Sequence, residues 1–263
     1  MKSPTPIDPG RHIDWGRTSA DYARYRPGPP DSFFQRLAEL GVGLPRQRIL
    51  DLGTGTGVLA RRFAEQGAIV AGIDISAEQI AEARRLATEQ GLTVDFRVAP
   101  AEAPPFAPAS FAFATANQCW LYFDAKRTLA AIGRILAPRG RLMVGHFNWV
   151  PHEDLIARES ERLVLAHNPA WTGADWDGTY EERPAWAEAA LRIEGGFVYD
   201  EAIPFTAESW RGRMRACRGV AATLEPAEVA RFDAELDALL ARIAGERFAV
   251  LHRLEAKLYR FIG

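Results

Sequence analysis

The chain opens its regular pattern with short apolar runs set between stretches where apolar residues recur every three or four positions. Phe33 to Leu40 reads as a helix stopped by Gly41, and Arg48 to Leu52 as the first strand. Val58, Leu59 and Phe63 then recur at helical spacing up to Gly67. Ile69 to Ile73 is almost wholly apolar, as a strand buried on both faces would be. Ser76 with Gln79 predicts a capping box for a helix through Gln90, ended by Gly91. Val94 to Val98 and Phe111 to Ala116 are the third and fourth strands. Leu129, Ile132 and Leu136 mark one helix face closed by Pro138, and Arg141 to Val144, extending to Phe147, is the fifth strand. Strand–helix alternation over about 100 residues implies right-handed crossovers and a doubly wound parallel α/β sheet.

Beyond Trp149 the alternation stops. Pro151 to Ala166 predicts a helix, Trp171 to Glu182 irregular chain, Ala185 to Ile193 a helix, and Phe197 to Phe205 a sixth strand. Val229, Phe232, Leu236, Leu239 and Ile243 give the stretch from Glu208 to Ala244 a core-facing helical stripe, and His252 to Phe261 should return as the last strand. The expected organisation is one domain over residues 1–263. It carries an N-terminal lid at 1–35 and two helical insertions, at 151–183 and 206–244, placed to cap the carboxyl edge of the sheet.

Composition narrows the class. The 263 residues hold 48% hydrophobic and 25% charged side chains, ordinary for a globular protein. A net charge of −2 offers no basic footprint for nucleic acid. Two distant cysteines, Cys119 and Cys217, make no disulfide framework and suit a cytoplasmic setting. The longest uncharged run, Ala103 to Phe123, holds three prolines and is a poor membrane span. No metal motif is visible among the histidines. Oligomeric state is not legible.

The chemistry concentrates in Asp51-Leu52-Gly53-Thr54-Gly55-Thr56-Gly57, which closes a strand and opens a helix. Glycines there let a turn pass close to a ligand. Asp51, two residues before the first glycine, would repel the pyrophosphate of a dinucleotide and favour a positively charged ligand. A cationic nucleoside without phosphate, such as S-adenosylmethionine, meets that description. Asp74 closes the second strand, 17 residues after Gly57, where a carboxylate accepts both ribose hydroxyls. Ile75 beside it is a candidate to pack on adenine.

Asp51–Gly57, Gly72-Ile73-Asp74-Ile75-Ser76, Ala101-Glu102-Ala103-Pro104-Pro105-Phe106 and Leu136-Ala137-Pro138-Arg139-Gly140-Arg141 resemble, in order and spacing, the motifs of class I S-adenosylmethionine-dependent methyltransferases of the small-molecule type. The resemblance spans about residues 45–150. It implies a Rossmann-like, mostly parallel sheet of seven strands, the last one antiparallel. By the same resemblance Asp51, Gly53, Thr54, Gly55 and Gly57 hold the methionine end of the cofactor, and Asp74 its ribose. Residues 100–102, among them Ala101 and Glu102, flank adenine, and Asn117 lies beneath the sulfonium. Pro100 stands where many such enzymes have an aspartate, so Glu102 or a backbone carbonyl would have to receive the adenine amino group. A resembling N-terminal segment folds over the cofactor in small-molecule methyltransferases, which makes Tyr22, Tyr25 and Arg26 candidates for a lid.

Further candidates lie where substrates approach such sheets. Gln118 follows the fourth strand, and His146 nears the end of the fifth, where an imidazole can act as general base. Cys119 lacks a recognisable base partner. Arg211, Arg213, Arg215 and Arg218 fall within eight residues, with 211, 215 and 218 on one helix face, either solvated or steering an acidic substrate. The expected activity is methyl transfer from S-adenosylmethionine to a nitrogen or oxygen of a small molecule. A non-catalytic cofactor-binding protein and an NAD(P)-dependent oxidoreductase are the alternatives.

Overall fold

The computed structural model describes residues 7–26 and 28–262. Residues 1–6 of the expected lid, and Pro27, lie outside the described residues. The elements follow in chain order: α1 (Ser19–Tyr25), α2 (Asp31–Glu39), β1 (Arg48–Leu52), α3 (Val58–Glu65), β2 (Ile69–Asp74), α4 (Ala77–Glu89), β3 (Val94–Val98) and β4 (Phe111–Asn117). Then come α5 (Ala125–Ile135), β5 (Leu136–Trp149), α6 (Leu155–His167), β6 (Leu191–Thr206), α7 (Ala207–Arg215), α8 (Pro226–Ile243) and β7 (Arg247–Phe261). The chain divides into two compact units: a sheet unit of residues 28–148, 180–199 and 253 onward, and a helical unit of the described residues up to 26 with 149–179 and 200–252.

The sheet has seven strands in the order β3-β2-β1-β4-β5-β7-β6. β1 pairs parallel with β2 and β4, and β4 with β5. Their apolar runs are buried on both faces, as parallel strands between helices require. β7 runs the other way. Gly145 of β5 lies against the Glu255 carbonyl, whereas Val150, one residue past the end of β5, donates its N–H to the Leu251 carbonyl, five residues further along the chain and four back along β7. Reversal of the order at β1/β4 puts the ends of those strands at a topological switch point, where such sheets bind ligands. One side of the sheet packs Leu50, Leu52, Ile73, Leu129, Ile132, Val144 and Tyr259 into a core. Trp120 and Trp186 join it with ring centroids 4.3 Å apart.

Local chemistry sets the helix starts. Ser76 accepts from the Gln79 N–H at the start of α4, Asp124 from Arg127 before α5, and Asp154 from Ala157 before α6. In the helical unit the Trp210 indole of α7, fully buried, donates to Ser160 of α6 at 2.9 Å. Gly212 of α7 lets α1 approach so closely that an added Cβ would meet the Tyr25 ring.

Several expected bounds move. Residues 185–190 form turns and β6 starts at Leu191, so the helix expected over Ala185 to Ile193 is absent. The alanines there favour helix, but Trp186 packs at a tilt against Trp120 and Tyr259 and fixes the chain in turns. Leu136, expected on a helix face, is the first residue of β5 and pairs with Phe111. The helical insertion expected from about Glu208 to Ala244 is built of two helices, α7 and α8. The last strand starts at Arg247, five residues before His252.

Candidate functional site

The glycine turn leaves β1 with three residues in the left-handed region, Gly53 (φ +57°), Gly55 (+56°) and Gly57 (+77°). Thr54 donates its N–H to Ile73 of β2 at 2.8 Å, which folds the turn over the neighbouring strand. At Gly53 a Cβ would sit 2.9 Å from both Cβ and Sγ of Cys119, so the turn also needs a residue without a side chain.

Asp51 is 3% exposed. Its carboxylate accepts from the Thr54 hydroxyl at 2.6 Å and from the Thr115 hydroxyl at 2.7 Å. Burial pushes its pKa up to about 6; the two hydroxyls pull it down, and the charge of Asp74 pushes it further up. Asp74 accepts from the backbone N–H of Gly55 and of Ser76, each at 2.9 Å, which ties the turn to the end of β2. Burial raises its pKa as well. Two acids therefore face one glycine turn, and among the described residues no basic group contributes to the shift of either. Nearby, Asn117 Oδ1 and Thr56 Oγ1 are buried without a hydrogen-bond partner among the described residues. Ile75, immediately after Asp74, is 68% exposed, an apolar surface next to that carboxylate. Uncompensated acids, orphaned acceptors and an open apolar platform fit a nucleoside that carries positive charge.

The other expected cofactor residues divide. The side chain of Ala101 is buried in the core, leaving its backbone as the part able to meet a base. Glu102 Oε1 accepts from the Asp124 N–H at 2.9 Å and so braces the start of α5. Tyr25 belongs to the helical unit, where its hydroxyl donates to Glu208 at 2.8 Å. Cys119 donates to the Leu52 carbonyl, and burial with the two nearby acids holds its thiol protonated, far from a nucleophile's condition.

A second polar group stands at the ends of β4 and β5. Gln118, in the left-handed region at φ +65°, donates its amide to the Phe147 carbonyl and to Asn148 Oδ1. His146 Nδ1 meets Glu255 Oε2 of β7 at 3.0 Å, and its ring stacks on Tyr180 with centroids 5.1 Å apart. The Glu255 side chain is 4% exposed and also pairs with Lys257 at 2.6 Å. Burial pushes the Glu255 carboxyl up, but His146 and Lys257 pull harder, and it sits below its ordinary value. Tyr180 donates to the Arg253 carbonyl and receives Asn148 Nδ2. The tautomer that gives Nδ1–H to the carboxylate presents Nε2 of His146 as an acceptor. Sequence reasoning passed over Thr115, Asn148, Tyr180 and Glu255. The available signal was a polar residue inside an apolar strand: threonine within Phe-Ala-Phe-Ala-Thr-Ala, and glutamate within Leu-His-Arg-Leu-Glu-Ala.

The sequence profile of the methyltransferase domain matches residues 49–140. The demethylmenaquinone methyltransferase of Thermus thermophilus is 40% identical over 116 residues, 43% of this chain and 53% of that protein. A ubiquinone biosynthesis O-methyltransferase of Xylella fastidiosa is 32% identical over 176 residues, 66% of this chain and 70% of that protein. The YcgJ protein of Bacillus subtilis shares the fold, with a TM-score of 0.51 at 19% identity over 87% of this chain and 98% of that one. The chain belongs to the class I S-adenosylmethionine-dependent methyltransferase family, and it is an enzyme of that class.

Proposed function

We propose that this protein transfers the methyl group of S-adenosylmethionine to a small-molecule acceptor, with oxygen as the favoured acceptor atom. The observation that carries the reading is the pair Asp51 and Asp74, buried at one glycine turn with no basic neighbour acting on them. The turn would hold the methionine end, Asp74 the ribose hydroxyls, Ile75 one face of adenine, and Asn117 Oδ1 the side of the sulfonium. A dinucleotide would bring its pyrophosphate against Asp51, which argues against the oxidoreductase alternative. When bound, the cofactor supplies an activated methyl group, so the protein's part is to align the acceptor and strip water from it. His146 takes the acceptor's proton at Nε2, and buried Glu255 orients the ring and stabilises the imidazolium that results. Gln118, held by β5, is a positioning residue. The name of the Xylella relative supports oxygen as acceptor.

The test is transfer of labelled methyl from S-adenosylmethionine to a panel of phenols, catechols and amines. Product is expected with a hydroxyl acceptor, and His146→Asn should lower kcat by roughly 10²–10⁴-fold with cofactor Kd unchanged. Labelling of amines alone would overturn the choice of oxygen. Full activity in His146→Asn would remove the base.

A further inference from the structure

The four arginines of the α7 region do not share one fate. Arg211 pairs with Asp233 and with Asp237, the latter at 2.8 Å. Arg215 pairs with Asp21 at 2.8 Å and Asp233 at 2.5 Å, and Arg218 with the buried Asp8 at 2.8 Å. Arg213 lies two residues from Arg211, roughly 200° around the helix. It is 4% exposed, its guanidinium carbon lies 4.8 Å over the Trp149 ring, and its Nε has no hydrogen-bond partner among the described residues. Among the described residues no carboxylate pairs with it.

The groups whose charge reaches Arg213 are Arg26, Cys217 and Tyr22. None is a carboxylate. Burial raises the Cys217 thiol and keeps it neutral. The His252 imidazole, in the field of both arginines, is pushed down to about 3, by burial first, and is neutral too. Arg26, stacked on Tyr22 at 4.4 Å, adds a second positive charge rather than an answer to the first. Burial and Arg26 both lower the Arg213 pKa, yet a guanidinium does not give up its proton near neutrality. All of these residues lie within the helical unit.

A buried charge with no partner is expensive for a fold, and the three neighbouring arginines show that aspartates were within the chain's means. We propose that Arg213 and Arg26 form a binding site for the oxyanion of a small molecule, a carboxylate or a phosphate. The planar fork of a guanidinium suits either by paired N–H donors. Trp149 holds the Arg213 fork from one face, so the anion meets an oriented donor rather than a flexible one. The inference rests on charge and burial in the helical unit, and it stands independently of the methyl-transfer reading.

The experiment is calorimetric titration and thermal denaturation of the full chain with benzoate, inorganic phosphate and neutral benzamide. Ionic strength is held constant with sodium chloride. Saturable binding of benzoate or phosphate, with none of benzamide, is expected, and the stronger of the two identifies the source of the oxyanion. Arg213→Met should abolish that binding and leave the ligand-free Tm equal to or above that of the parent, because it removes an uncompensated charge. Arg26→Met, at a half-buried position, should weaken binding at least tenfold, and it keeps the test decisive if Arg213→Met fails to fold. Absence of saturable anion binding, or equal binding in Arg26→Met or Arg213→Met, would overturn the proposal.

Discussion

At Asp51 a single buried carboxylate costs the fold stability at neutral pH. Its pKa is about 6 in the fold, against an ordinary 3.8, because burial disfavours the charged form. The folded protein therefore holds this proton more tightly than the unfolded chain. The stabilisation is full below about pH 4 and is lost as pH rises through about 6, a loss of about 3 kcal/mol. Asp51→Asn keeps an acceptor for one threonine, and the other hydroxyl can turn to accept from the amide. It should raise the ligand-free Tm at pH 7.5, have little effect at pH 4, and weaken S-adenosylmethionine at least tenfold. Melting curves at the two pH values, with titrations beside them, check this; a lower Tm at pH 7.5 would contradict the assignment of cost. Asp51 and Asp74 were legible in sequence because acids closing apolar strands beside a Gly-x-Gly turn are a local pattern. Glu255 was not, since its partner His146 is 109 residues away and strand pairing alone brings them together.

Among the elements, the β1–α3 turn is the most tightly constrained. Gly53→Ala asks an L-residue to adopt φ +57°, which costs about 1–2 kcal/mol, and places a methyl carbon 2.9 Å from the Cys119 sulfur. Such a variant should lose about 2–4 kcal/mol of stability in denaturant titration. Combining it with Cys119→Ala should recover part of the steric loss but none of the backbone loss. Strict additivity of the two substitutions would show that the turn and the β4 end do not touch. Strands β1, β2 and β4 could be read from the chain because burial on both faces makes them near-continuous apolar runs, and β3, Val-Asp-Phe-Arg-Val, because its apolar residues alternate with charged ones. The 185–193 segment could not, because Trp186 finds its partners at Trp120 and Tyr259, far off in sequence. The start of β7 was legible but passed over: Phe248 to Leu251 is a short apolar run that follows Gly245.

Over the whole molecule a net charge of −2 conceals local imbalance. Among the described residues, the sheet unit keeps two acids at the glycine turn with no basic group acting on them, and the helical unit keeps Arg213 without a paired acid. On the readings proposed above, each imbalance answers a ligand charge, positive at the turn and negative at Arg213. The strand order, with its reversal between β1 and β4, places the first of these at the end of the sheet where such folds bind nucleosides. Among the described residues no helix is long and apolar enough to cross a membrane. The most direct test of the central claim is calorimetric titration of the full chain with S-adenosylmethionine, S-adenosylhomocysteine and NAD, repeated on Asp74→Ala. Binding of the first two in the micromolar range, roughly −8 kcal/mol, lost in Asp74→Ala and absent for NAD, is the predicted result. No heat with S-adenosylmethionine, or undiminished binding in Asp74→Ala, would contradict the assignment of the glycine turn and its two acids to that cofactor.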